Sequence, residues 1–194
     1  MNKKEIIVLV LLILAVITRF VFIRFGESAI PNFTAVGAMM IIGATYMKGM
    51  KRWIVPLAIF WISDLFINNV VYAQYYDSFQ LFATPWVYLG YLLVGIIAYI
   101  IMKTSPSFIK LLLTCTTGAV IFFLVTNFGS WLHHTSPYTK DFSGLMASYQ
   151  AGIPFFRNAL MGDLFFGFVL FGLYDIIASR IESLKPMLFR KSLA

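Results

Sequence analysis

The stretch Phe108-Ile-Lys-Leu-Leu-Leu-Thr-Cys-Thr-Thr-Gly-Ala-Val-Ile-Phe-Phe-Leu-Val-Thr-Asn-Phe128 carries a single charge, Lys110. A helix needs about 20 mostly apolar residues to cross the hydrocarbon core of a bilayer, within a range of about 17–25. The run meets that length without a break. It also lacks the alternation over about ten residues that a membrane β-strand requires. It therefore reads as a transmembrane helix, and its neighbours read the same way.

Working outward, five further apolar runs are expected to be helical, at 6–24, 33–48, 53–72, 85–103 and 157–178, with this one at 108–128. Turn-forming residues separate them, among them Lys48-Gly49-Met50-Lys51, Asp77-Ser78 and Ser105-Pro106-Ser107. The composition agrees. The 194 residues are 60% apolar and 12% charged, with mean hydropathy +0.85, against about 45–50% and about 25% in soluble domains. So little charge cannot cover a water-facing surface, which excludes a soluble enzyme, a secreted disulfide scaffold and a disordered chain. The one cysteine, Cys115, lies inside an apolar run and reads as a buried small side chain. The fold class expected is an all-α integral membrane protein, one domain of six transmembrane helices.

The net charge of +7 reads as topology. With the N-terminus in the cytoplasm, Lys3, Lys4, Lys48, Lys51, Arg52, Lys103, Lys110, Arg180, Lys185, Arg190 and Lys191 fall inside, which is eleven of the fifteen cations. Arg24, Lys140 and Arg157 fall outside, with Arg19 in the outer part of the first helix. Excess Lys and Arg on cytoplasmic loops is the usual rule, so both termini are expected inside, in a bacterial cytoplasmic (inner) membrane. Lys3 and Lys4 before an apolar run also suit a secretory leader, but the run is long and no small-x-small site follows, so a retained first helix is expected. The basic tail from Lys185 to Lys191 suits lipid headgroups, and no nucleic-acid partner is expected.

Ionisable residues within a bilayer cost about 2.5–3.5 kcal/mol each on insertion scales and need a reason. At 1.5 Å per residue, Asp64 lies about 16 Å from the inner end of the third helix, with Asn68 one turn further out on its face. Asp163 lies about 9 Å from the outer start of the sixth helix, which Arg157 and Asn158 begin. Arg19, Trp61, Tyr88 and Asn127 also fall in the outer half, and the inner half holds mainly Thr114, Thr116 and Thr117, with Asp175 the exception, at the inner end of the sixth helix close to Arg180. This asymmetry suits a polar cavity opening outward, with Arg19, Trp61, Asp64, Asn68, Tyr88, Asn127, Arg157, Asn158 and Asp163 as candidate substrate-binding residues. The plainer alternative is that Asp64 pairs with Arg19, and Asp163 with Arg157, to lock helices together.

Residues 129–154 form a long outer segment, expected as a lid-like loop over that cavity, with Trp131, His133 and Tyr149 as its candidate contacts. Phe142, Leu145, Met146 and Tyr149 follow the i, i+3, i+4, i+7 pattern of a short amphipathic helix lying on the outer face. His133 and His134 are adjacent rather than a helical turn apart, so no metal site is expected. No phosphate-binding, nucleophile-elbow, zinc-protease or dinucleotide motif occurs. No cofactor and no enzymatic activity are expected, although two buried aspartates are the kind of pair on which an intramembrane enzyme would rest.

The stretch Pro31-Asn-Phe-Thr-Ala-Val-Gly-Ala-Met-Met-Ile-Ile-Gly-Ala44, then a basic turn, Pro56 and Ser63-Asp64-Leu65, resembles the S components (substrate-binding subunits) of energy-coupling-factor (ECF) vitamin transporters. Thr126-Asn-Phe-Gly-Ser-Trp131 and Ile153-Pro-Phe-Phe-Arg-Asn-Ala-Leu-Met-Gly-Asp-Leu164 resemble an uncharacterised bacterial family grouped with them. The resemblance implies a six-helix S-component-like bundle that binds a vitamin or similar micronutrient in its outer half. It also implies an ECF coupling protein with its ATPases as partners, or solitary action. The first helix departs from the family's small-residue docking surface, since Ala15 is its one small residue. The expected function is a substrate-binding subunit or solitary small transporter for micronutrient uptake. The alternative is a non-catalytic scaffold protein of related six-helix architecture.

Overall fold

The computed structural model describes residues 2–26 and 31–181. The side chain of Arg24 and the basic tail with Lys185, Arg190 and Lys191 lie outside the described residues. Among those described, all regular structure is helical: α1 (Lys3–Gly26), α2 (Val36–Tyr46), α3 (Lys51–Phe66), α4 (Pro85–Met102), α5 (Phe108–Leu132) and α6 (Phe142–Arg180). A π-helical turn, Ile67–Val71, continues α3, and one turn of 3₁₀ helix follows at Ala73–Tyr75. Four segments are long and apolar enough to cross a membrane: Lys51–Val71, Pro85–Met102, Phe108–Leu132 and Phe142–Arg180. Their lengths and composition are those of a multi-pass membrane protein.

α2 is the hub. It has 11 residues, of which ten are buried, all but Thr45. It touches each of the other five helices. A helix apolar on every side belongs inside a bundle, and small residues let its neighbours approach. Gly43 lies against the ring of Pro56 in α3, and Gly37 against Asp163 in α6. At its C-terminal end, Tyr46 stacks on Tyr174 of α6 with ring centroids 3.8 Å apart. The expected second span, 33–48, is thus shortened at both ends. Met47 turns extended (φ −86°, ψ 157°), and Gly49 takes φ +59° in the turn that starts α3. At 1.5 Å per residue α2 covers about 16 Å, half the hydrocarbon core of ~30 Å.

One end of the bundle is tied by Glu5. Asn2 N–H donates to Glu5 Oε2 (3.1 Å) while Glu5 N–H donates to Asn2 Oδ1 (2.9 Å), a reciprocal cap at the start of α1. The same carboxylate accepts from Lys48 N–H (3.4 Å) and pairs with Lys51 Nζ (3.3 Å), joining α1 to the α2–α3 turn. Pro56 sits in the second turn of α3, because the helix begins at Lys51, two residues before the expected start of the third span.

The connection between α5 and α6 differs most from expectation. No lid-like loop covers 129–154. α5 runs on to Leu132, α6 starts at Phe142, and only 133–141 joins them. The amphipathic turn expected on the outer face is instead the beginning of α6, which continues through Pro154. Asp141 caps it, accepting from Gly144 N–H at 2.8 Å. Ser148 Oγ donates to the Asn127 carbonyl (2.8 Å), Tyr149 Oη donates to the Leu124 carbonyl (3.2 Å), and Gly152 lies on the Asn127 side chain. These contacts hold the segment helical against α5 although Pro154 gives up one backbone bond. With 39 residues α6 is about 58 Å long, nearly twice the hydrocarbon core, so one end projects from it.

Two glycines of similar helical setting should respond oppositely to a methyl group. Gly43→Ala pushes a Cβ into Pro56 and should lower unfolding free energy by about 1–3 kcal/mol. Gly172 has open space around it, so Gly172→Ala should raise stability by about 0.5–1 kcal/mol through helix propensity. Denaturant unfolding in detergent micelles distinguishes the two.

Candidate functional site

The C-terminal parts of α1, α3 and α5, the chain entering α2, the N-terminal end of α4 and the middle of α6 surround a cavity of about 370 Å³. That volume lies within the usual range for small-molecule sites, about 300–1,000 Å³. The cavity exists because α2 is short. The chain just before α2, with Asn32 and Thr34, forms part of the wall where a full-length helix would otherwise fill the space. Asn32 adopts φ +65°, a left-handed conformation that asparagine tolerates better than most residues.

Arg19 from α1 and Asp64 from α3 form an ion pair, Nη2 to Oδ1 at 3.0 Å, with side chains 13% and 9% exposed. Arg19 Nη1 donates to Ser63 Oγ (2.6 Å), and Ser63 Oγ in turn donates to the Phe60 carbonyl (2.6 Å). The guanidinium lies over the Phe60 ring, 4.9 Å from its centroid. Asn68 stands one turn beyond Asp64, where α3 widens into its π turn, and its Nδ2 donates to Asp64 Oδ2 at 3.2 Å. Both Asp64 oxygens are therefore engaged. The pairing of Asp64 with Arg19 weighed from sequence is what the fold contains, and the pair lines the cavity as well. Arg19 Nε remains buried with no hydrogen-bond partner.

Asp163 from α6 lines the opposite wall. Its carboxylate rests against the Cα of Gly37, and the Ala38 amide reaches it. Ala35, the residue in the N-cap position of α2, offers no side-chain cap. Asp163 thus supplies from another helix what the local sequence lacks, an acceptor at the positive end of α2. The alternative pairing with Arg157 does not form, because Arg157 is exposed and no cation among the described residues pairs with Asp163. The depth expected for Asp163 also changes, since α6 begins fifteen residues before the expected start at 157. Cys115 Sγ donates to the Asp163 carbonyl (3.3 Å) and is fully buried.

Between these poles stand aromatic faces. Tyr91 stacks on Phe122 with centroids 4.3 Å apart and meets Phe60 edge-on at 5.0 Å. Of the expected binding residues, Arg19, Asp64, Asn68 and Asp163 line the cavity together. Tyr88 stands behind the wall, packing on Phe60 (5.5 Å). Trp61 donates from Nε1 to the Leu81 carbonyl (2.9 Å) and stacks on Phe82. Asn127 donates to the Phe123 carbonyl of its own helix (2.8 Å) with its side chain against Gly152 of α6, and Asn158 donates to the Pro31 carbonyl (2.9 Å), fastening the chain before α2 to α6.

The cover of the cavity is also not the expected one. Trp131, His133 and Tyr149 do not line it. Trp131 Nε1 donates to the Thr139 carbonyl, Tyr149 packs on Phe123, and His133 borders a separate pocket of about 290 Å³. The α3–α4 connection does line it, through Tyr76, Ala83 and Thr84. Asn69 fastens that loop, donating to the Gln80 carbonyl (2.8 Å) and accepting from Gln80 N–H (2.7 Å). Thr84 and Thr126 line both pockets, so the two are neighbours. Thr34, Thr84 and Thr126 join the lining without a sequence signal, because an isolated threonine carries no pattern, and nothing along the fourth helix distinguishes Tyr91, which lines the cavity, from Tyr88, which does not.

Residues 1–184 match a family described as a family of unknown function, DUF6580. The chain belongs to that family. No curated protein and no solved structure matches it. Among the described residues of this DUF6580 member, no group of three or more His, Cys, Asp or Glu side chains is placed to hold a metal ion.

Two expectations follow. Arg19→Ala or Asp64→Ala alone leaves a buried partner uncompensated and should cost about 3–5 kcal/mol of stability, whereas Arg19→Met with Asp64→Leu should recover most of it. Unfolding of the three variants in one detergent tests the cycle. At the α5–α6 connection, the Gly144 amide and the Thr139 hydroxyl hold the Asp141 carboxyl below its ordinary range. Its folded pKa is lower than its unfolded one, so the cap acts fully above about pH 4 and is lost as pH falls through the folded value. Amide-exchange protection factors at the start of α6, taken against the intrinsic rate at each pH, should therefore fall on acidification below pH ~4, and Asp141→Asn should remove that fall.

Proposed function

We propose that this chain is a membrane-embedded substrate-binding subunit, or a solitary small transporter, for uptake of a vitamin or similar micronutrient through an outward-opening pocket. The observation that carries the proposal is the cavity of about 370 Å³ at one end of the bundle, with Arg19, Asp64 and Asp163 brought to it from three helices. Charged groups within a membrane bundle usually mark a substrate or ion path. Of the charged groups inside the bundle, Arg19, Asp64 and Asp163 line this cavity, while Glu5 and Asp175 lie at the other end and do not. The other end is closed by Tyr46, Phe171 and Tyr174 packed together.

Orientation follows from the cations. Lys3, Lys4, Lys48, Lys51, Arg52, Lys103, Lys110 and Arg180 lie at the closed end, and Lys140 and Arg157 at the cavity end. The positive-inside rule then puts the closed end in the cytoplasm and opens the cavity outward. In this reading the six helices form an S-component-like bundle with both termini cytoplasmic, in a bacterial inner membrane. α2 is a half-length element buried among the other five. An ECF coupling protein with its ATPases would supply energy if the chain does not act alone.

Mass spectrometry of small molecules released from gently purified protein tests the proposal. A discrete species should accompany the wild type and fall at least tenfold in Val87→Trp, which fills cavity volume and removes no polar group. Recovery of protein partners with no small molecule would instead support a scaffold.

A further inference from the structure

The cavity contains two devices that normally attract anions, a guanidinium and the N-terminus of a buried helix. Both are already occupied by the protein's own carboxylates. Arg19 gives Nη2 to Asp64 and Nη1 to Ser63, which leaves only its buried Nε, and the second Asp64 oxygen is taken by Asn68. The N-terminus of α2 is taken by Asp163. An anionic ligand would have to displace one of them. The lining holds one basic and two acidic side chains, Arg19 against Asp64 and Asp163. Asp163 is 6% exposed, borders the free volume, and meets no cation among the described residues. The space beside it is walled by the faces of Phe60, Tyr91 and Phe122, and such faces attract cations and flat apolar bodies.

We infer that the ligand of this cavity is a small organic cation, with an ammonium or amidinium-type N–H donor directed at Asp163 and a flat apolar body laid on Phe60, Tyr91 and Phe122. The inference rests on the binding role proposed above and names its ligand class. Charge neutralisation of Asp163 in a water-poor site then supplies selectivity. A neutral isostere leaves the carboxylate uncompensated, and an anionic one adds a like charge.

Asn at position 163 separates the charge from the cap, because an amide oxygen still accepts from the α2 amides. The full chain in nanodiscs is titrated with three probes of similar shape: 2-phenylethylammonium, 2-phenylethanol and phenylacetate. Binding is read by calorimetry and by thermal shift. The wild type should bind the ammonium probe at least tenfold more tightly than either of the others, and Asp163→Asn should abolish that difference while melting near the wild type without probe. Equal or preferential binding of the alcohol or the anion by the wild type overturns the inference, as does absence of binding by the ammonium probe. These wild-type outcomes decide the matter even if the variant fails to fold. Undiminished ammonium preference in a folded Asp163→Asn also overturns it. If the molecule released from purified protein is an acid without a basic nitrogen, the ligand class fails while the uptake role stands. If nothing is released, the uptake role itself fails.

Discussion

The structure depends on how a half-length helix is accommodated in an apolar bundle. The first four amides of any α-helix lack intrahelical partners, and in a hydrocarbon setting each unsatisfied group costs several kcal/mol. α2 begins deep in the bundle with no capping side chain of its own. Asp163, reaching across from α6, accepts at that terminus. Gly37 makes the approach possible, since any Cβ there would strike the carboxylate. One contact thus allows α2 to stop short, and the volume it leaves becomes the cavity.

The Arg19–Asp64 pair answers a related problem from the other wall. Buried ion pairs are weak evidence for stability, because desolvation offsets most of the Coulombic gain. This pair is completed by Ser63 and Asn68 and covered by Phe60, so its donors and acceptors are largely met. Arg19 Nε is the exception. A site that keeps an ion pair, an unpartnered donor and a second carboxylate around open volume has more polar equipment than helix locking needs.

Much of the fold could be read along the chain. Runs such as that from Phe108 to Phe128 have the length and continuity of spanning helices, and the clustering of Arg19, Asp64, Asn68 and Asp163 in one half of the bundle follows from counting residues along each run. Helix ends were less legible. Arg157 and Asn158 read as a helix start, yet α6 begins at Phe142 because Ser148, Tyr149 and Gly152 pack on α5. The second run read as a span of ordinary length, yet α2 stops at Tyr46, where Met47 turns extended. Trp61 and Asn69 gave no sign of holding the α3–α4 connection across the cavity, because their partners are backbone carbonyls of Leu81 and Gln80, which carry no residue-type signal.

By itself, the sequence determined the apolar setting, the helical class and the half of the bundle in which most of the polar residues fall. Apolar length, charge scarcity and the placement of lysines and arginines are local quantities, summed over segments of about 20 residues. Partnership was decided only by the tertiary structure. Whether Asp163 meets Arg157 or the amides of α2 depends on which helix end lies beside it. That in turn depends on how five helices close around an eleven-residue sixth. Such contacts join residues more than a hundred positions apart, as between Asp163 and Gly37, and no pattern along a single helix encodes them.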